Sequence, residues 1–104
     1  MSRGEVRWYT FRAPDKRRPV LILTRDSALS FLDSVTVAPI TTTVRGLSTE
    51  VPVGPVNGLD HDCVVSCDNI VTVPVDALGR QLGFLLADQE PALSEAIRTA
   101  FDLW

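Results

Sequence analysis

Residues 18–41 read Arg18-Pro19-Val20-Leu21-Ile22-Leu23-Thr24-Arg25-Asp26-Ser27-Ala28-Leu29-Ser30-Phe31-Leu32-Asp33-Ser34-Val35-Thr36-Val37-Ala38-Pro39-Ile40-Thr41. The opening run, Arg18 to Thr24, is short, apolar and rich in branched residues, which reads as a buried strand begun at a proline. Asp26-Ser27 offers a cap for a short helical turn through Ala28, Leu29, Phe31 and Leu32. Ser34 to Thr41 then reads as the next strand. Paired antiparallel, these two strands set the start of one beside the end of the other.

Outward from this pair, Glu5 to Phe11 alternates as a strand, and Pro14-Asp15-Lys16 supplies turn chemistry before Arg18. Downstream, Ser48 to Val53 reads as a strand whose Pro52 places it at an edge, followed by the turn residues Gly54-Pro55-Val56-Asn57-Gly58. Cys63 to Cys67 and Ile70 to Val73 are further strands, with Leu78 to Gly83 a last one. The remainder is helical: Asp88 reads as N-cap, Pro91 falls in the tolerant first turn, and Leu93, Ala96, Ile97, Ala100 and Phe101 form one apolar stripe. Short strands with one terminal helix predict a mainly β fold, a small curved antiparallel barrel with the helix packed on it.

The 104-residue chain is the size of one domain, residues 1–104, and its 45% hydrophobic content suffices for one core. No run approaches the ~20 apolar residues that span a bilayer, and the first residues lack a signal peptide's apolar stretch, so the expectation is a cytoplasmic protein without a membrane partner. Cys63 and Cys67 sit too far apart along a strand to bridge, and His61 lies without companion metal ligands. Packing residues are the expected role of both thiols.

The net charge of −3 is unevenly distributed. Residues 1–45 carry eight bases against four acids, net +4, and residues 46–104 carry two against nine, net −7. The first half therefore leaves room for a basic face. Around Arg18 and Thr41 fall one loop with Arg12, Lys16 and Arg17 and another with Thr42, Thr43 and Arg45. Guanidinium forks and hydroxyl donors suit phosphodiester oxygens. On spacing alone, a threonine-rich strand end and a rim arginine account for the cluster equally well. No Gly-rich phosphate loop, nucleophile elbow or cysteine–histidine pair competes with it. His61 is a candidate general base by residue type only, and Asp60 and Asp62 read as solvated turn carboxylates.

Several segments resemble the MazF/PemK family of toxin endoribonucleases, and the resemblance spans nearly the whole chain. Arg3-Gly4-Glu5-Val6-Arg7-Trp8 is similar to the family's opening strand, and Arg17-Arg18-Pro19-Val20 to its Arg-Arg-Pro-Val strand. The most specific match is Val37-Ala38-Pro39-Ile40-Thr41 with Gly46-Leu47-Ser48-Thr49-Glu50-Val51. Asp62 to Ile70 and Leu78-Gly79-Arg80 also follow the pattern, and the chain looks closest to short actinobacterial-type members. The resemblance implies an SH3-like barrel of the CcdB/PemK type and a homodimeric toxin neutralised by a cognate antitoxin. It implies cleavage of single-stranded mRNA, rRNA or tRNA at short sequence motifs, without metal or other cofactor.

By motif, the family's catalytic arginine before proline falls on Arg18 and its catalytic threonine after isoleucine on Thr41. The implied reaction is attack of a ribose 2′-hydroxyl on the adjacent phosphate, leaving a cyclic phosphate and a 5′-hydroxyl end. Arg18 would stabilise charge and serve as an acid–base group, and Thr41 would donate to the oxyanion. Free arginine titrates above about 12 and is a poor base, so the 2′-proton acceptor is left open. Arg12, Lys16, Arg17, Arg25, Thr42, Thr43, Arg45 and Asn69 are the expected RNA contacts. The usual Gly-Ser-Glu-Gln-Gly-Gly stretch before the Arg-Pro strand is replaced by Arg12 to Arg17, and the usual Ser-Asn-Asp after it by Thr24-Arg25-Asp26. Any loop carboxylate acting in catalysis would then have to be Asp15. The rival reading is a CcdB-like toxin that binds DNA gyrase, similar at Val73 to Gly79 and in its terminal Trp104. Without that role, Trp104 is expected to anchor a dimer or the helix.

Overall fold

The structure, a computed structural model, describes residues 1–11 and 16–104, without the side chain of Lys16. Its strands are β1 (Glu5–Phe11), β2 (Lys16–Ile22), β3 (Ser34–Thr41), β4 (Glu50–Val53), β5 (Cys63–Ser66), β6 (Val71–Pro74) and β7 (Gln81–Phe84). A one-turn helix α1 (Asp26–Leu29) joins β2 to β3, and α2 (Glu90–Phe101) closes the chain. Every pairing is antiparallel, in the order β4-β5-β3-β2-β1-β7. One edge of β3 is shared: its first half pairs with β6 and its last two residues with β5. That division bends the sheet into a half-barrel, the mainly β fold with a terminal helix read from the sequence.

Successive strand residues face opposite ways, so Val20-Leu21-Ile22, fully buried throughout, requires cover on both faces. On one face Leu21, Ala38, Ile40, Val51 and Val65 meet Leu93 and Ala96 of α2. On the other Val20, Ile22, Val35, Val37 and Val73 pack beneath Leu29, Val75 and Leu78. The helical stripe is narrower than expected. Ile97 and Ala100 flank the core, but Phe101 is 55% exposed where the helix ends at Asp102 with φ 55°.

The caps differ from the sequence reading. Arg25, not Asp26 or Ser27, precedes α1, because the Asp26 carboxylate accepts the Arg3 N–H at 2.6 Å. Asp88 lies within a 3-10 turn, Ala87–Gln89, and Gln89 is the N-cap of α2, its side-chain oxygen accepting the Leu86 N–H at 2.9 Å. β4 starts at Glu50 rather than Ser48 and β5 ends at Ser66, with Cys67–Asn69 forming a 3-10 turn. β4 is an edge strand, as Pro52 predicts. Both cysteines are free and buried. Trp104 is 99% exposed and donates its indole N–H to Asp102 at 2.9 Å, so it does not anchor the helix within the chain. Among the described residues no helix is long and apolar enough to cross a membrane.

Candidate active site

The register Val20↔Pro39, Leu21↔Ala38, Ile22↔Val37, continued two residues, sets Arg18 opposite Thr41. On its other side Arg18 faces Tyr9 of β1, and Thr41 faces Val64 of β5. Directly paired residues point to the same face, so Tyr9, Arg18, Thr41 and Val64 form one row across four strands. The two central members of the row, Arg18 and Thr41, line a cavity of about 650 Å³ at the sheet's rim, together with Thr43, Arg45, Glu50, Ser66, Asp68 and Asn69. Phe11, edge-on to Tyr9 with ring centroids 4.8 Å apart, and Pro39 give it an apolar wall.

Hydrogen bonds fix several of these groups. Thr41 Oγ1 accepts the Thr43 N–H at 3.1 Å, which holds the hydroxyl and leaves its proton to donate into the cavity. Arg18 is half-buried, and among the described residues no carboxylate pairs with it. Its side chain lines the cavity and brings positive charge to it. Glu50 takes three successive backbone N–H groups, from Arg45 at 3.2 Å, Gly46 at 2.9 Å and Leu47 at 3.1 Å. Gly46 sits at φ 74°, a left-handed conformation that lets the chain wrap the carboxylate. Asp68 accepts the Thr49 hydroxyl at 2.7 Å, and Asn69 donates to Ser66 Oγ at 2.8 Å.

A second cavity, about 520 Å³, lies on the opposite side of the same rim and shares Arg18, Thr41 and Thr43 with the first. Trp8, Arg17, Leu59, Asp60, His61, Cys63, Arg80 and Leu82 line it. The Cys63 thiol is pushed above its ordinary range by burial and by the neighbouring Asp62 carboxylate, which disfavours the thiolate a nucleophile requires.

The sequence-predicted residues thus divide. Arg18, Thr41, Thr43, Arg45 and Asn69 come together in the first cavity, and Arg17 and Thr42 line the second. Arg25 does not join them: it stands before α1, beyond the far end of β2 from Arg18, and lines neither cavity. Arg12, Asp15 and the Lys16 side chain lie outside the described residues. Sequence reasoning missed Glu50, Ser66 and Asp68 as lining groups. The pairing Glu50↔Ser66 brings them beside Thr41, a consequence of strand order that residue type does not announce.

Comparison with known proteins gives a consistent picture. The family model described as "PemK-like, MazF-like toxin of type II toxin-antitoxin system" matches residues 2–101. The chain is 70% identical over 89 residues to Endoribonuclease MazF3 of Mycobacterium tuberculosis, covering 86% of each protein. Among solved structures it is similar to the Mycobacterium tuberculosis toxin MazF-mt6, with TM-score 0.86, 62% identity, and 94% of this chain and 98% of that one covered. It is also similar to an endoribonuclease from a mycobacterial species in complex with its cognate antitoxin, with TM-score 0.89, 29% identity, and 100% and 97% covered.

Proposed function

Because the chain belongs to the PemK-like, MazF-like toxin family of type II toxin–antitoxin systems, we propose that it is an endoribonuclease whose active centre is Arg18 and Thr41. The observation that carries this reading is the register that opposes the two residues on the floor of one cavity. The substrate is single-stranded RNA, cut at a short sequence motif. The O2′–P bond forms and the P–O5′ bond breaks, giving a cyclic phosphate and a 5′-hydroxyl end without a metal. A proton leaves the 2′-hydroxyl and one is taken up by the departing 5′-oxygen. Negative charge on the non-bridging oxygens peaks between these events, where the Arg18 guanidinium and the Thr41 hydroxyl are positioned to donate. Thr43 and Arg45 flank the path of the strand, and Asn69 sits at its edge.

The protein acts in the cytoplasm as a single-domain homodimer restrained by a cognate antitoxin, the kind of partner seen in a similar mycobacterial structure. Incubating purified protein with RNA in EDTA tests the reading. Cleavage that leaves cyclic-phosphate and 5′-hydroxyl ends, and that falls about 10²–10³-fold or more in Arg18→Ala, is the expected result. Intact RNA together with inhibited gyrase would establish the CcdB-like alternative, which the family match and the endoribonuclease relatives disfavour.

A further inference from the structure

The second cavity has the chemistry of a nucleobase site. Its interior is apolar where Ile40, Leu59 and Leu82 meet. On one side the Arg17 guanidinium carbon lies 4.4 Å from the Trp8 ring centroid, a cation held over an aromatic face. At the mouth Asp60 and His61 are exposed on the β4–β5 connection, and Arg80 stands near Trp8, whose N–H donates to the Arg80 carbonyl at 3.2 Å. The Trp8 indole N–H is itself buried without an acceptor among the described residues. An apolar slot, a stacking wall and polar groups at one edge match a flat base with a hydrogen-bonding rim.

The cavity also stands in the right place. Arg18, Thr41 and Thr43 line both cavities, so a phosphate seated on Arg18 and Thr41 lies at the boundary between them. A neighbouring nucleotide of that strand then reaches the second cavity without leaving the protein surface.

We propose that this cavity binds one nucleobase beside the scissile phosphate, stacked on Arg17 and read at its edge by Asp60; the inference rests on the endoribonuclease reading. A carboxylate accepts freely from an exocyclic amino group, whereas uracil's single edge donor, N3–H, lies between two carbonyl oxygens that repel a carboxylate. The site therefore selects an amino-bearing base over uracil at one position of the cleavage motif.

The test is cleavage of single-stranded oligonucleotides randomised one position at a time, with wild type, Asp60→Asn and Arg17→Ala compared. Asp60 and Arg17 are both exposed, and circular dichroism would verify that the variants fold. In wild type, amino-bearing bases should be preferred at one position beside the cut by about 5–150-fold in kcat/KM. Asp60→Asn should bring that ratio down to about one at that position only, and Arg17→Ala should raise KM for the preferred oligonucleotides. A folded Asp60→Asn that keeps the wild-type base preference, or that slows all oligonucleotides equally, overturns the subsite while the nuclease stands. Wild type that cuts no RNA overturns the nuclease reading, and the subsite with it.

Discussion

Glu50 carries no charge to the substrate in the proposed reaction, yet its carboxylate folds the loop that presents Arg45. Replacing it by alanine hands three exposed amide donors to water, at a cost of about 0.5–1.5 kcal/mol, and frees the loop. Glu50→Ala is expected to raise KM for RNA by about tenfold with a smaller change in kcat, and Glu50→Gln to fall between it and wild type, in steady-state cleavage assays. Thr41 is expected to behave in the opposite way. Thr41→Val keeps the side chain's shape but removes the donor, so kcat should fall about 10²–10³-fold while the unfolding temperature stays near wild type; Thr41→Ser should restore most of the rate. The pairing of Arg18 with Thr41 was legible before any coordinates, because one residue opens a strand and the other closes its neighbour. Glu50 was not, since its partners are backbone amides whose positions exist only once Gly46 has turned the chain.

The connection between β4 and β5 shows how elements hold the second cavity open. Gly58 in that connection crosses β7 so closely that a Cβ would stand 2.0 Å from the Leu82 carbonyl oxygen, and one on Gly83 would stand 2.1 Å from that of Asn57. Buried Asn57 fastens the crossing: its amide donates to the Phe84 carbonyl at 3.1 Å and to Gln89 Oε1 at 2.6 Å, and its oxygen accepts the Gly54 N–H at 3.0 Å. Asn57→Ala should therefore destabilise the fold by about 2–3 kcal/mol, read as a fall in denaturant midpoint. Strand existence was legible from alternation and branched residues, and the edge position of β4 from Pro52. The element ends were not. Asp26 and Asp88 have the side chains of caps, but Asp26 is claimed by the Arg3 amide and the turn before α2 is closed by Gln89. Both outcomes depend on contacts remote in sequence, which local patterning does not encode.

For the molecule as a whole, packing on both faces of one sheet makes stability sensitive to groups that carry no chemistry. The Cys67 thiol is pushed up to about 11, first by burial and then by the Asp68 carboxylate. An unfolded thiol titrates near 8.5, so between about 8.5 and 11 the native state keeps a proton the unfolded chain has lost. Stability is then full below that window and falls as pH rises through it. Chemical denaturation at pH 8 and pH 10.5 should show this slope in wild type and a shallower one in Cys67→Ala. Leu93, wholly buried against the sheet, makes α2 a structural necessity; Leu93→Ala should cost about 2–5 kcal/mol in the same measurement. That dependence has a consequence for how the protein is made. The first cavity is lined by residues from Phe11 to Asn69, but the core of the sheet is sealed by Leu93 and Ala96, which are translated after all of them. Polypeptides whose synthesis stops short of that helix carry every group that lines the cavity and lack the side chains that close the core beneath the sheet.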